Sequence, residues 1–213
     1  MAARRKPPLR GPQLDLAGDL SVAFVNTAGA RKSNRQLGVG SYVDLLTWGR
    51  QAGMVSAREA ELLRQKATRD APQAAAVFAA AEKVRSALSR AFSAILSGKV
   101  PAAGDLAAVS DALARTMPAL RLVPGKRGAA WSWAGGEDDL ERVLWPVLLA
   151  ATELLASEAG CSRLCRCAAE SCPLFFVQRF VGPTRKWCER RTCGSRGKAL
   201  RYYHRKGKFA PRT

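Results

Sequence analysis

The chain of 213 residues is long enough for one domain of ordinary size and a small appendage, and its apolar content of 47% predicts a packed core and excludes global disorder. The formal net charge is +18, and it is unevenly spread, because residues 161–213 carry 14 Lys and Arg against 2 Asp and Glu, a net of +12. Such a concentrated positive field predicts a polyanionic partner, nucleic acid first among them.

The composition of the N-terminus and of the apolar stretches bears on localisation. The longest apolar stretches, 74–81 and 143–151, are far shorter than the ~20 residues that cross a bilayer. Prolines at positions 7, 8 and 12 stand where a secretory signal needs an apolar run, so residues 1–13 are expected to form a flexible basic arm. We therefore expect a cytoplasmic protein that has no membrane partner.

Residues 14–160 are predicted to form a mostly helical domain. Residues 14–26 contain spaced apolar side chains that fit either a strand or a short helix, and Asn26, Thr27 and Gly29 predict a turn. Ser41, with Asp44 three residues later, predicts the beginning of a helix.

Two further helix starts follow from local patterns. Ser56 and Glu59 form a capping-box pattern that leads a helix to about residue 68, with Gly53 as the break before it. Pro72 fits the first turn of a long helix that keeps its apolar spacing to about Ser97. A shorter helix is expected over 105–114.

A hairpin is predicted over 120–124 and 129–134, where apolar and polar residues alternate around the turn 125–128. Trp131 and Trp133 then share one face of this hairpin. Acidic residues at 137–139 favour the beginning of the next helix, which Pro146 should kink or split.

Two cysteine pairs near the C-terminus predict a metal centre. Cys167 and Cys172, and then Cys188 and Cys193, are each separated by four residues, so four thiolates can converge on one tetrahedral zinc ion. Two disulfides are the alternative, and an even count of six cysteines allows it. The absence of a signal peptide and the net charge favour a reducing compartment, and therefore one structural zinc.

The layout around these pairs predicts a treble-clef-like zinc finger over 161–213. It comprises a knuckle, a hairpin through 174–187 and a helix over 195–207 whose first turn supplies the last ligand. The remaining thiols, Cys161 and Cys165, do not share the spacing of the two pairs and are expected to be free. The predicted fold class is thus mainly α with a small β-hairpin, a helical N-terminal domain followed by a zinc finger with a basic C-terminal helix.

The last helix is expected to carry a basic stripe. At 100° per residue its basic side chains lie within about 80° of one another, and Arg196 falls on the opposite, packing side. A solvated charged face is the alternative. The predicted nucleic-acid-binding residues are Arg185, Lys186, Arg190, Arg191, Lys198, Arg201, Tyr202, Arg205 and Lys208.

The two ends of the chain resemble a known bacterial family. The first pair of cysteines, the aromatic pair 175–176 and the segments 185–188 and 193–196 resemble the CGNR zinc finger, with Ser195 in place of the asparagine and Lys186 in place of an arginine. Residues 20–27 with Arg31, and later 131–134 and 144–157, resemble the ABATE domain that precedes this finger. The resemblance implies a transcription regulator.

A ligand pocket is a further candidate, suggested by the resemblance and by clustered polar residues. It would combine Asn26 and Arg31 with the hairpin tryptophans Trp131 and Trp133. The alternative is an asparagine that caps a turn and two tryptophans of the core.

These features together predict a zinc-dependent DNA-binding transcription regulator whose N-terminal domain senses a signal, such as a small-molecule effector, or mediates assembly. An RNA- or ribosome-associated binding protein and a thiol redox sensor acting through the zinc site are the alternatives. Enzymatic activity is not expected, because no catalytic motif is present and a four-thiolate zinc has no open coordination position.

Overall fold

The computed structural model describes residues 17–30, 38–125, 128–178 and 185–205. Within these ranges the chain is mainly helical, with two small two-stranded antiparallel sheets. The elements are α1 (Leu20–Ala30), α2 (Tyr42–Gln51), α3 (Ala57–Arg69), α4 (Ala71–Leu96), α5 (Ala103–Thr116), β1 (Leu120–Gly125), β2 (Gly128–Trp133), α6 (Trp145–Leu155), α7 (Glu158–Cys161), β3 (Leu164–Arg166), β4 (Phe175–Val177) and α8 (Ser195–Arg205). No helix in the described ranges is long and apolar enough to span a membrane.

The helix starts that local patterns predicted are confirmed. Ser41 caps α2 by accepting a hydrogen bond from the backbone N–H of Asp44. Ser56 and Glu59 form the complete capping box of α3, in which each side chain accepts from the backbone N–H of the other residue. Gly53 adopts φ +72°, a conformation that glycine reaches without steric cost, and so ends the first arm of the α2–α3 pair.

Pro72 and Pro146 both lie in the first turn of a helix, where a backbone N–H would have no partner within the helix. Pro72 lies in the first turn of α4, the 26-residue helix that supplies one wall of the core. Pro146 splits the helix predicted after residue 139 into a 3-10 turn, Leu140–Leu144, and the helix α6. The split was one of the two outcomes expected for this proline.

The turn predicted at Asn26, Thr27 and Gly29 was wrong, because all three residues belong to helix α1. Tertiary contacts override the local preference here. Thr27 is fully buried, donates its hydroxyl to the carbonyl of Phe24 and accepts a hydrogen bond from the guanidinium of Arg85 at 2.9 Å. The strand alternative for residues 14–26 is likewise excluded from Leu20 onward, where α1 begins.

The main core is formed where α1 lies among the other helices. Phe24, Leu45, Leu63, Leu88 and Phe92 are all fully or almost fully buried in this one cluster. Apolar burial on this scale explains why the helical part folds as one unit.

The predicted hairpin is confirmed as β1 and β2, which pair with Leu120 opposite Trp133 and Leu122 opposite Trp131. These four residues share one face, because side chains alternate along a strand. Trp133 packs against Trp145 with ring centroids 5.4 Å apart, whereas Trp131 is 61% exposed. Only the base of the hairpin therefore joins the core.

The second sheet joins two short strands on either side of the first cysteine pair. Strand β4 pairs with β3, upstream of the first cysteine pair, a pairing that the prediction did not include. The predicted hairpin through 174–187 contains residues 179–184, which lie outside the described ranges. The three-residue strand β3 is too short to show an alternation in the sequence, so the pairing could not be predicted from periodicity.

Candidate metal centre and nucleic-acid interface

The four predicted metal ligands come together, although they lie on four different segments. Cys167 follows β3 directly, Cys172 precedes β4, Cys188 lies after the segment 185–187, and Cys193 lies in a π-helical turn, Arg190–Gly194, immediately before α8. Their Sγ atoms all lie within 4.8 Å of one another. The last ligand thus comes from the turn that leads into α8 and not from the helix itself.

The sulfur geometry fits zinc. A tetrahedral zinc with Zn–S bonds of about 2.3 Å separates its sulfur ligands by about 3.8 Å. The Sγ atoms of Cys172 and Cys188 are 3.7 Å apart, and those of Cys188 and Cys193 are 3.6 Å apart. The residues present therefore fit a single tetrahedral zinc, and a disulfide is excluded for all six cysteines, which are free.

The surroundings of the cluster are those of a closed structural site. Cys167, Cys188 and Cys193 are buried, and they pack with Leu174 and the fully buried Phe176 in a small core of their own. A zinc ion held by four thiolates has no open coordination position, which is typical of a structural site. Its contribution is to hold together a module that is too small to be stabilised by its apolar core alone.

Backbone hydrogen bonds orient the ligands. The N–H of Ala168 donates to the carbonyl of Lys186 at 2.9 Å. This bond joins the segment that begins at Cys167 to the segment that leads into Cys188. The N–H of Cys188 lies 3.4 Å from the sulfur of Cys167. Such donors toward a ligand sulfur fix its direction and stabilise its negative charge.

Burial and hydrogen bonds shift the pKa values of three of the cluster thiols in different directions. Burial raises the pKa of Cys188 well above its ordinary value and, with the neighbouring thiols, raises the pKa of Cys172 to about 11. Burial also opposes ionisation of Cys167, but N–H groups of Cys188 and Ala169 outweigh it and lower the pKa of this thiol. A dication at the centre reverses the burial penalty, because a coordinating thiol is deprotonated outright.

The two remaining cysteines lie outside the cluster. Cys161 is directed to the carbonyl oxygens of Leu154 and Leu155, 3.5 and 3.6 Å from its sulfur. Cys165 accepts a hydrogen bond from the amide of Gln178 at 3.1 Å. Neither sulfur belongs to the group of four that can hold one ion, as the spacing predicted.

Exposed cations surround the metal centre. On the segments next to the second ligand pair, those with described side chains are Lys186, Arg190, Arg191, Arg196 and Lys198. Within the described residues none of the five forms an ion pair with a carboxylate. The two acidic residues of 161–213 are Glu170 and Glu189, and Glu189 accepts a hydrogen bond from the hydroxyl of Thr192.

Arg185 differs from these cations because its guanidinium is engaged inside the finger. Its Nε donates to the carbonyl of Trp187 at 2.9 Å, its Nη2 donates to the carbonyl of Cys188, and its plane lies 4.6 Å from the ring centroid of Phe176. This arginine therefore braces the segment that carries Cys188.

Two glycines, one in α8 and one in the turn before it, form the contact with Trp187. A Cβ on Gly197 would lie 3.0 Å from the indole nitrogen of Trp187, and one on Gly194 would lie 3.5 Å from the same ring. The expectation that Arg196 lies on the packing side was wrong, because this residue is exposed and the glycines form the contact. Sequence reasoning consequently omitted Arg196 from the candidate interface.

The remaining interface predictions are described only in part. Tyr202 is 47% exposed on α8. The side chains of Arg201, His204 and Arg205, and the whole of Lys208, lie outside the described residues.

The residues of the candidate ligand pocket lie as follows. The side-chain amide of Asn26 bonds to the backbone of Phe175 in β4. Trp133 packs on Trp145, Trp131 is exposed, and Arg31 lies outside the described residues.

One buried cation escaped the sequence analysis. Arg85 is 7% exposed and bonds to Thr27, the carbonyl of Val39 at 3.2 Å and Glu82 at 3.0 Å, with Phe24 beneath its guanidinium. Its position within the apolar spacing of α4, directly after the buried Val84, was the only available signal.

Comparison with protein families covers nearly the whole described chain. Residues 163–206 match the family model "CGNR zinc finger", and residues 18–158 match the ABATE model, whose description is "Putative stress-induced transcription regulator". No curated protein and no solved structure gave a match. Since the ABATE match alone spans more than half of the chain, the protein belongs to the ABATE family and carries a CGNR zinc finger with one structural zinc.

Proposed function

We propose that this protein is a zinc-dependent transcription regulator that binds double-stranded DNA through the cations around its metal centre. The N-terminal helical domain would sense a signal or mediate assembly. The observation that carries the proposal is a set of exposed cations that have no carboxylate partner among the described residues: Lys186, Arg190, Arg191, Arg196 and Lys198, within thirteen residues of sequence.

Unpaired like charges at this density repel one another, and phosphate groups relieve that repulsion. All five cations lie on segments adjoining the second ligand pair, Cys188 and Cys193. Zinc therefore fixes the positions of these charges relative to one another. Loss of the ion should release them and weaken binding.

The proposal is a binding function and not catalysis, because a four-thiolate zinc lacks an open coordination position. Arg185 contributes indirectly in this scheme. Its guanidinium holds the carbonyls of Trp187 and Cys188 and so keeps the neighbouring Lys186 in place.

The test is the salt dependence of binding to duplex DNA, measured by fluorescence anisotropy with the zinc-loaded full chain. The logarithm of the binding constant should fall with the logarithm of salt concentration by about 0.9 per phosphate neutralised. Lys198→Ala should reduce that slope by about 0.9. The matched control is Lys83→Ala, since Lys83 is also an exposed helical lysine but lies on α4, and its slope should equal that of the wild type.

A salt slope near zero, or equal slopes for the two lysine variants, would refute the proposed interface. Removal of zinc by a chelator should lower affinity for the wild type. Unchanged affinity of the metal-free chain would separate DNA binding from the finger.

RNA is the second candidate partner, and the exposed Tyr202 favours it. An aromatic side chain on a basic helix offers a stacking surface for an unpaired base. Competition between single-stranded RNA and duplex DNA at equal salt decides between the two. Under the RNA alternative, Tyr202→Ala would weaken RNA binding more than DNA binding.

A further inference from the structure

Strand β4 belongs to two cores at once. Phe175 and Val177 are buried in the main core of the N-terminal domain, whereas Phe176 between them is buried with the metal ligands. This division follows from the alternation of side chains along a strand. The zinc finger is consequently joined to the N-terminal domain by a shared strand and not by a linker.

Asn26 of helix α1 holds the open edge of that strand. Its Nδ2 donates to the carbonyl of Phe175 at 2.8 Å, and its Oδ1 accepts from the N–H of the same residue at 2.9 Å. The side-chain amide thus takes the place of a neighbouring backbone residue. Without it, a buried N–H and a buried carbonyl would lose their partners, which is costly.

Other contacts close the N-terminal domain on the same strand. Gly18, with φ +75°, lies so near that a Cβ there would be 2.7 Å from the carbonyl oxygen of Val177. Phe92 of α4 packs edge-on against Phe175 with centroids 5.8 Å apart. Arg166 covers the same ring at 4.9 Å and donates to the hydroxyl of Ser93 in α4 at 2.7 Å.

The other face of β4 leads directly to the metal. Phe176 is fully buried among the ligand cysteines, and Arg185 lies over its ring while bonding to the carbonyl of Cys188. A movement of β4 therefore displaces the wall of the metal site. Conversely, release of the four sulfurs removes the packing that holds Phe176.

We propose that Asn26 is a positioning residue for the metal centre, and that through β4 it couples zinc binding to the stability of helix α1. Such coupling is reciprocal, so zinc protects α1 against local opening, and whatever holds α1 in place tightens zinc binding by the same factor. Neither half of the proposal depends on nucleic-acid binding.

Two variants and one control test it on the full chain. Asn26→Leu keeps the approximate shape of the side chain and removes both hydrogen bonds. Asn26→Asp keeps the acceptor for the N–H of Phe175 and loses the donor to its carbonyl. The control is Thr47→Val, which removes an exposed helical hydroxyl bond of 2.8 Å to the carbonyl of Val43.

Zinc affinity is measured by competition with a chromophoric chelator, and amide hydrogen exchange of 20–30 is measured with and without zinc. Asn26→Leu should raise the zinc dissociation constant about tenfold, within the range typical of coupling between two sites, and Asn26→Asp should lie between it and the wild type. Thr47→Val should match the wild type. Zinc should slow exchange in 20–30 of the wild type and lose most of this effect in Asn26→Leu.

A merely structural asparagine would lower overall stability and leave the zinc dependence of exchange in α1 unchanged. Equal zinc affinity of folded Asn26→Leu and wild type would overturn the proposal. If that variant does not fold, the comparison of Asn26→Asp with the wild type decides in the same way. The proposal would also be overturned if amide hydrogen exchange of 20–30 in the wild type were the same with and without zinc.

Discussion

Replacement of Glu59 by glutamine should destabilise the N-terminal domain by about 2 kcal/mol. The carboxylate of Glu59 accepts from the N–H of Ser56 at 2.7 Å and from Arg142 at 2.8 and 2.5 Å. The side chains of Glu59 and Arg142 are only 19% and 12% exposed, so little solvent screens the pair. A hydrogen bond to a charged group contributes about 1.5–3 kcal/mol, and glutamine retains only a neutral acceptor.

The matched control is Glu61→Gln, two residues away on the same helix. Glu61 also accepts from two side chains, Arg64 and Gln65, but it is exposed. Its replacement should leave the unfolding midpoint close to that of the wild type. For a chain of this length, the loss in Glu59→Gln corresponds to a fall of about 4–8 °C in Tm, measured by circular dichroism.

The pH dependence adds a second, independent check. Burial alone would raise the pKa of Glu59, but hydrogen bonds from Ser56 and Arg142 outweigh burial and lower it. A lowered pKa stabilises the folded state above the ordinary value of about 4.3 and loses this contribution as the pH falls through the folded-state value. The stability gap between wild type and Glu59→Gln should therefore be full at pH 7 and shrink below about pH 4. Equal Tm values for the two glutamine variants would refute this account.

Three further outcomes are expected. Gly49→Ala should lower the free energy of unfolding by about 1–3 kcal/mol, because the new Cβ would lie 2.5 Å from Cγ2 of Val143. Gly104→Ala should not destabilise the chain, because no atom lies within 4 Å of its new Cβ. Urea titration of the two variants measures the difference. Cys188→Ser should abolish stoichiometric zinc, and Cys161→Ser should retain one zinc per chain by elemental analysis, since the sulfur of Cys161 lies outside the cluster. Acidification should release the ion from the wild type as its thiolates protonate, which a metal-sensitive dye records.

Local signals in the sequence were sufficient for much of the helical part. Ser41, Ser56 with Glu59, and Pro72 each mark a helix start through contacts within four residues, so no knowledge of the fold is needed to interpret them. The metal centre was predictable for a related reason. The equal spacing of the two cysteine pairs expresses the ligand geometry directly.

Local sequence patterns gave wrong predictions where contacts between distant residues determine the local structure. Asn26 and Thr27 have turn-forming side chains, yet the partners that keep them helical are Phe175 and Arg85, which are 149 and 58 residues away. Arg85 itself looks like a surface cation and is buried. The pairing of β4 with β3 was not predicted, because β3 has only three residues. Each failure concerns a polar side chain or a short strand whose hydrogen-bond partners lie on a distant segment of the chain.

The indole of Trp187 is the surface against which the beginning of helix α8 packs. Gly197 of the helix and Gly194 of the turn before it both face this indole, so positions without a side chain form the contact. A Cβ on Gly197 would lie 3.0 Å from the indole nitrogen, so this glycine decides how closely the helix approaches the segment that carries Cys188. The ligand segment and the helix are thereby joined by a direct contact as well as by the metal.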